Sequence, residues 1–592
     1  MKPTHVLRAV TIAASVAIAI ALAGCDDSDS NADNTNNSQN NNSNNNNNTP
    51  GTDSNANPDD TSAVPGTDSN ANPDDTSAVP GTDSNANPDD TSAVPGTDSD
   101  SSSNGSDSDP ILDTDTGAPI DTDDFGDWYR DVPEPLRVRY ASPNGTGDGM
   151  SQETPMELQN AISQSQPGDL VWLLAGDYTA AGAIPRYEFD QDGTASAPII
   201  YRALPGARAR IFGGTRVSGA YNWLWGLEVT DPNTILEDDP AMCIGTYNRG
   251  IVLINNVLHN EGYYTSLSSW NFPEQLVYGN IVYSGLHNIY TQNTAENGYR
   301  YFVHNISLDA QPYPDGEGGQ FAFHAYAEGG DISGMYLVGN VFANTRSKRA
   351  RTLIGAKNST PNDREVLIGN YFYNAELQLG FARPVQATVK DNYFYEGLFE
   401  YKYFWGEGEI RFDNIAPIVV TGNTIYQSGG TQTHIDLRTS AYTGDDRSDG
   451  IPRLRAGDTW DNNTYGPSLR ADLYADGNQI FCGGLANWRT ATENAGKRFD
   501  ANSTEGPVPT TPHVALLPNA YESGRGHLII YNYGNTATVP VDLAAVCEPG
   551  KAVRIHNAKE AYENPVFSGA YEGANVDVPV PTPFAAYLVL CQ

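Results

Sequence analysis

Leu276-Val-Tyr-Gly-Asn280-Ile-Val-Tyr and Tyr301-Phe-Val-His-Asn305-Ile-Ser-Leu are one pattern written twice: an apolar strand, an Asn, then two or three more apolar residues. It recurs upstream at Ile251-Val-Leu-Ile-Asn-Asn256-Val-Leu. Downstream it returns at Met335-Tyr-Leu-Val-Gly-Asn340-Val-Phe, Val366-Leu-Ile-Gly-Asn370-Tyr-Phe-Tyr, Thr388-Val-Lys-Asp-Asn392-Tyr-Phe-Tyr and Ile418-Val-Val-Thr-Gly-Asn423-Thr-Ile-Tyr. The Asn-to-Asn steps run from about 22 to about 35 residues, the size of one solenoid coil with loops of unequal length. Asn tolerates a left-handed turn between two strands, and its amide can pair with the next Asn along a stack. A buried Asn column therefore satisfies its own polar groups while it fixes register, and these residues are expected to be structural. The expected fold is all-β: a right-handed parallel β-helix, followed by a small C-terminal β-sandwich domain.

Upstream of the repeats, Tyr140-Ala-Ser-Pro-Asn-Gly-Thr-Gly opens a strand and turn. Pro155 to Ser165 then carries Met156, Leu158, Ala161 and Ile162 at helical spacing, and Gln166-Pro-Gly-Asp stops it. Leu170-Val-Trp-Leu-Leu-Ala-Gly-Asp-Tyr, Ser196-Ala-Pro-Ile-Ile-Tyr-Arg-Ala and Ala209-Arg-Ile-Phe-Gly-Gly follow as strands and turns. This order resembles the entry to right-handed parallel β-helix proteins, where a short helix caps the first coil. Over about 80 residues it is similar to polysaccharide lyases of the chondroitinase-B and alginate-lyase kind. The resemblance implies cleavage of a uronate-containing glycan. It also implies a catalytic Lys and Arg from successive coils, in a Ser-Val-Lys-Ser…Arg-His-Gly setting. No such run occurs here. Lys348 and Arg351 lie in Arg346-Ser-Lys-Arg-Ala-Arg without that framing, so the resemblance carries over no catalytic residue.

Residues 1–24 read as a signal peptide: Lys2 and Arg8, an apolar run from Val10 to Leu22, then small residues. Leu22-Ala23-Gly24-Cys25 resembles the lipobox of bacterial lipoproteins, which implies lipidation at Cys25. The expectation is an exported protein held to the outer membrane or cell surface through that lipid anchor alone. Residues 25–136 read as a disordered tether. An Asn/Ser tract is followed by three copies of Pro-Gly-Thr-Asp-Ser-Asn-Ala-Asn-Pro-Asp-Asp-Thr-Ser-Ala-Val between Pro50 and Val94, with no apolar face to stack. The β-helix is assigned to 137–486 and the sandwich to 487–592, where short strands such as His527-Leu-Ile-Ile-Tyr-Asn-Tyr and Phe584-Ala-Ala-Tyr-Leu-Val-Leu recur. Cys243, Cys482, Cys547 and Cys591 can pair in an oxidising compartment, in a connectivity the sequence leaves open; Cys547 with Cys591 would staple the C-terminal region, and the spacing gives no metal site. A formal charge of -39 disfavours nucleic acid as a partner. The expected partner is an acidic or substituted polysaccharide, met by a monomer.

Period-2 alternation on a later strand of each coil sends polar residues outward on one shared flank. Tyr290 and Gln292, then His324, Tyr326 and Glu328, face out, followed by Arg349 and Arg351, Gln378 and Arg383, Glu400 and Lys402, and finally His434, Asp436 and Arg438. β-Elimination needs a cation to neutralise the uronate carboxylate, a base for the C5 proton and an acid for the leaving oxygen. Arg351 or Arg383 suits the first task. His324, titrating near neutrality, suits the second, and Tyr290 or Tyr326 the third. Gln292, Glu328, Lys402, His434, Asp436 and Arg438 are read as substrate contacts. A glycoside hydrolase would instead pair Glu328 with Asp315, Glu317, Glu400 or Asp436. A glycan-binding adhesive lipoprotein would need the ridge but no base. The acidic, Gly-rich loop Gln311 to Gly319 is a candidate Ca²⁺ loop without EF-hand spacing.

Overall fold

The computed structural model describes residues 128–592 except 183–184, 232–241, 260–264, 313–319, 328–331, 347, 357–361, 382–384, 403–416, 430–431, 439–453, 455–456 and 476–477. The signal peptide, Cys25 and the repeats between Pro50 and Val94 lie outside the described residues. So do Glu328, Arg383 and most of the candidate Ca²⁺ loop, Asp315 and Glu317 included. No helix among the described residues is long and apolar enough to cross a membrane.

Each coil lays down three short strands, one in each of three long sheets. Among the described residues these sheets hold 14, 12 and 12 strands, stacked almost entirely in parallel. This is the expected right-handed parallel β-helix. The strands Leu276–Tyr278 and Ile281–Tyr283 stack on their counterparts one coil away: Val277 pairs with Phe302, and Val282 with Ser307.

The Asn column runs down the bend between the first and second sheets. Nδ2 of Asn256 donates to Oδ1 of Asn280 (2.9 Å), and the same bond links Asn280 to Asn305, Asn305 to Asn340 and Asn340 to Asn370 at 3.0 Å each. It continues through Asn392 and Asn423. Each Oδ1 also accepts the backbone N–H of the preceding Asn, as between Asn305 and Asn340 (3.0 Å). The left-handed residue is not the Asn itself, contrary to expectation. It is the residue before it: Asn255, Gly279, His304, Gly339, Gly369, Asp391 and Gly422 all have positive φ. The ladder Asn needs its amide facing inward, and the bend is made one position earlier. An eighth rung, Asn463, extends the column (3.1 Å from Asn423), and Asp500 ends it, accepting from Asn463 Nδ2 at 3.0 Å.

Both ends of the β-helix are covered. Leu158–Ser163 forms the entry helix, its N-terminus capped by the Glu157 side chain, with Leu158, Ala161 and Ile162 buried. At the other end, Leu485–Asn494 buries Leu485, Trp488 and Ala491 in the same core, and Thr504–Glu505 is the last strand of the second sheet. Residues 487–505 therefore belong to the β-helix, not to the C-terminal domain as expected from sequence. That domain has a five-stranded and a two-stranded antiparallel sheet, with a disulfide between Cys547 and Cys591, while Cys243 and Cys482 are buried thiols. Its Ile529, Tyr531, Phe584 and Leu588 pack on Val257, Ile281, Ile306 and Val341, sealing the outer face of the second sheet. Residues 128–136, assigned by sequence to the tether, are also ordered against the body. Trp128 stacks on Tyr278 at 5.1 Å, and Tyr129 stacks on Tyr521 of the C-terminal domain at 5.0 Å. Their aromatic rings find apolar surface that the Asp/Pro-rich stretch has no means to cover.

Replacing Asn340 by Ala would strand the Asn305 amide, the Phe302 carbonyl and an Asn370 acceptor in a dry interior. The expected loss is about 3 kcal/mol or more of unfolding free energy, read by chemical denaturation; a change within error would show that the column is dispensable.

Candidate functional site

The third sheet carries the polar flank. Tyr290, His324, Leu353, Gln378, Glu400 and Asp436 are register partners on successive coils, pointing out of the barrel. Two residues further along the same strands, Lys402 is the register partner of Arg438. The shared row that the sequence reading required is thus present, but it is not a solvent-facing ridge: His324, Tyr326, Gln378, Glu400, Lys402 and Asp436 are each less than a tenth exposed. The row resolves into two clusters about 14 Å apart, three rungs of the sheet.

The first cluster is aromatic. The His324 ring lies 4.1 Å from Phe321, 4.8 Å from His287, 5.3 Å from Tyr326 and 5.5 Å from Tyr290, centroid to centroid. Tyr326 in turn meets Phe381 at 5.5 Å. Burial, with His287 and Arg351 nearby, pushes the His324 pKa well below its ordinary value. This corrects the expectation of titration near neutrality: a ring packed among rings loses the water that would stabilise its charge. The Tyr290 hydroxyl donates to the Tyr326 carbonyl (3.1 Å) and accepts from Gln292 Nε2 (2.9 Å). Arg351 is half-buried beside this cluster, in register with Phe321 and Glu376.

The second cluster is ionic. Glu400 lies 3.3 Å from Lys402 Nζ and 3.1 Å from Arg438 Nε, and Arg438 Nη2 donates to Asp436 at 2.9 Å. Asp472, on the next coil, accepts from Thr433 (3.2 Å). Burial pushes the Glu400 carboxyl up to about 8 against the opposing pull of Lys402, and raises Asp436 as well. A carboxyl whose hold on its proton is strengthened by burial is a candidate proton donor. His434 does not join this row. It precedes the strand Ile435–Arg438, is fully buried, and turns Nδ1 to the Arg470 amide (3.2 Å). Alternation does not hold across a strand's first bend, which is why period-2 counting misplaced it. Burial lowers its pKa to about 4.

Sequence reasoning treated Lys402, Asp436 and Arg438 as fringe contacts and centred the site on His324. The signal for the opposite choice was present: Phe399-Glu-Tyr-Lys402 and Ile435-Asp-Leu-Arg438 both read apolar, acid, apolar, base. On strands in register that repeat stacks acid on acid and base on base. Among the described residues no group of His, Cys, Asp and Glu has the geometry to hold a metal.

No family model matches the chain. Over 133 residues it is 26% identical to a pectate disaccharide-lyase of Dickeya chrysanthemi, a stretch that covers 22% of this chain and 16% of that protein. Among solved structures it is similar to the pectate lyase Pel9A, with 15% identity, 56% of this chain and 80% of that chain covered, and a TM-score of 0.33. It is also similar to XylC solved with xylose (10% identity, 74% and 95% covered, TM-score 0.33). A third is a mannuronic-acid-specific lyase from human gut microbiota (15% identity, 56% and 86% covered, TM-score 0.27).

A histidine held neutral by the fold adds stability above its unfolded pKa of about 6.5 and withdraws it as pH falls further. Buried carboxyls such as Glu400 act in the opposite sense over part of that range, so the informative quantity is a difference. His324→Phe keeps a ring in the stack without a proton to bind. Its melting temperature relative to the unsubstituted protein should rise steadily from about pH 7 to about pH 4; a difference independent of pH would show that His324 charges freely in the fold.

Proposed function

We propose that this chain is a polysaccharide lyase that cleaves a uronate-containing glycan by β-elimination, with Lys402, Glu400 and Arg438 as its reaction centre. The observation that carries the reading is the register pairing of Lys402 with Arg438, beside a carboxyl raised to about 8. In the reaction the C5 proton leaves, the electron pair forms the C4–C5 double bond, and the C4–O bond breaks. Lys402 Nζ is the group placed to take the proton. Glu400 gives its own proton to the departing oxygen, and Arg438 holds the sugar carboxylate so that C5 is more acidic. His324 is a poor base by comparison, because the same burial that keeps it neutral weakens its hold on a proton. The partial match to a pectate disaccharide-lyase supports a uronate polymer as the substrate.

Incubation with polygalacturonate, alginate or chondroitin should release products that absorb in the ultraviolet through the new double bond. Lys402→Ala and Arg438→Ala should each lower the rate by about 10²–10⁴-fold with unchanged circular dichroism, while His324→Phe remains active. The rate should fall as pH rises through about 8, where Glu400 loses its proton. Full activity in Lys402→Ala would remove the assignment. New reducing ends without ultraviolet absorbance would favour hydrolysis instead, a reading that has Glu400 and Asp436 in register on neighbouring coils, both with raised pKa, in its support.

The proposal extends to a surface-anchored protein, on the strength of Leu22-Ala23-Gly24-Cys25 and the Asp/Pro-rich stretch behind it. Expressed in a bacterium, the full chain should incorporate labelled palmitate and partition into detergent, and Cys25→Ser should do neither. Persistent label in that variant would place the lipid elsewhere.

A further inference from the structure

Where the third sheet gives way to the first, three successive coils leave their strands at Tyr247, Trp270 and Gln292. The Trp270 coil lies five rungs from that of Glu400, about 24 Å along the axis, so this corner is remote from the ionic cluster and adjoins the aromatic one through Tyr290. The Tyr247 and Trp270 rings are 6.0 Å apart and within 23° of parallel, and Trp270 meets Tyr290 at 6.0 Å. The Arg216 guanidinium sits 4.4 Å over the Tyr247 ring. Tyr247, Trp270 and Tyr290 are all half-buried. Gly245 admits the tyrosine, since a Cβ there would fall 2.7 Å from its ring.

The support beneath these rings is elaborate for a simple bend. Thr246, Ser269 and Thr291, each the last residue of its strand, point inward and are buried. Gln275 Oε1 accepts from Thr246 (2.9 Å) and Ser269 (2.7 Å), and its Nε2 donates to the Asn248 carbonyl (2.8 Å). Arg300, only 1% exposed, donates through Nη1 to the Ser269 carbonyl (2.9 Å) and hydroxyl (2.6 Å), and through Nη2 to the Phe272 carbonyl. Those two carbonyls bracket Trp270. Among the described residues no carboxylate pairs with Arg300. A buried cation without a counter-charge is costly, and apolar residues would fill the corner more cheaply. The network ties down the backbone beside Tyr247 and on both sides of Trp270, a support that a recognition surface requires.

We propose that Tyr247, Trp270 and Tyr290 form a distal subsite for sugar rings of an extended glycan lying along the helix axis. The identity of that glycan as the lyase's own uronate polymer rests on the function proposed above. Such rings offer sugar C–H faces an apolar surface. Arg216, ion-paired with Glu188 at 3.6 Å, flanks the Tyr247 ring. A polymer spans the interval between this corner and the Lys402–Arg438 pair, whereas a very short oligomer does not.

The test uses the full chain and polygalacturonate, alginate and chondroitin as probes. Trp270→Ala and Tyr247→Ala should lower the ratio of kcat/KM on polymer to kcat/KM on trisaccharide by about tenfold. Binding is read separately in Lys402→Ala, by retardation during electrophoresis through gels containing each polymer. Adding Trp270→Ala should abolish that retardation. Retardation and rate ratio both untouched by the ring variants, or no retardation by any of the three polymers before they are introduced, would overturn the subsite. Retardation lost in the ring variant, with no unsaturated product from the unsubstituted protein, would keep the subsite and discard the lyase.

Discussion

A column of buried asparagine amides is the interaction on which the rest of this structure depends. Each amide is donor and acceptor at once, so the column is satisfied only when every coil sits one rung above the last in a single register. A slip of one residue would turn every side chain on that strand to the opposite face and leave several amides stranded in a dry core. Loops of very different length can therefore leave the coils without disturbing them. Asn305 and Asn340 are separated by 35 residues and Asn370 and Asn392 by 22, yet the links are of nearly equal length. Rows of residues far apart in sequence, Lys402 beside Arg438 among them, follow from that register.

The column was legible because its signal is short-range and repeats: a strand, a polar residue where apolar ones surround it, and another strand. Asn463 escaped notice because a long insertion precedes it and Trp460-Asp-Asn-Asn463-Thr-Tyr carries fewer aliphatic residues than its counterparts. The left-handed position was misjudged by one residue, since composition identifies a bend without saying which of two neighbouring residues makes it. Alternation correctly sent Tyr290, His324, Glu400 and Asp436 to one flank. It could not report burial, which depends on what lies over that flank, and burial is what separates a histidine near neutrality from one held far below. The same reason explains Trp128 and Tyr129: a polar stretch ends where aromatic residues meet a surface contributed by distant coils.

The two covered faces of the β-helix show how the chain manages its outward surface. Each of the three sheets has an outer side, and a long solenoid exposes much more of it than a compact domain would. The second sheet gives its outer side to the C-terminal domain through an aliphatic and tyrosine-rich contact. The first sheet is partly occupied by Trp128 and by Tyr521. The third instead carries histidine, tyrosine and charge, residues that pack less efficiently and cost more to bury. Stability alone favours the first two solutions.

That contrast bears on the ionic cluster. Enclosing Glu400, Lys402, Asp436 and Arg438 together removes four ionisable groups from water, and the attraction between partners at about 3 Å commonly does no more than offset the loss of hydration. Hydrophobic residues of the same volume would continue the inward pattern of Phe399, Tyr401, Ile435 and Leu437 at lower cost. An arrangement that is neutral or unfavourable for folding, repeated in register on neighbouring coils, is in keeping with the reaction centre proposed above. A carboxyl with a raised pKa, an amine and a guanidinium lie within a few ångströms of one another. Elimination from a uronate draws on all three, whereas hydrolysis leaves the lysine and arginine without a task.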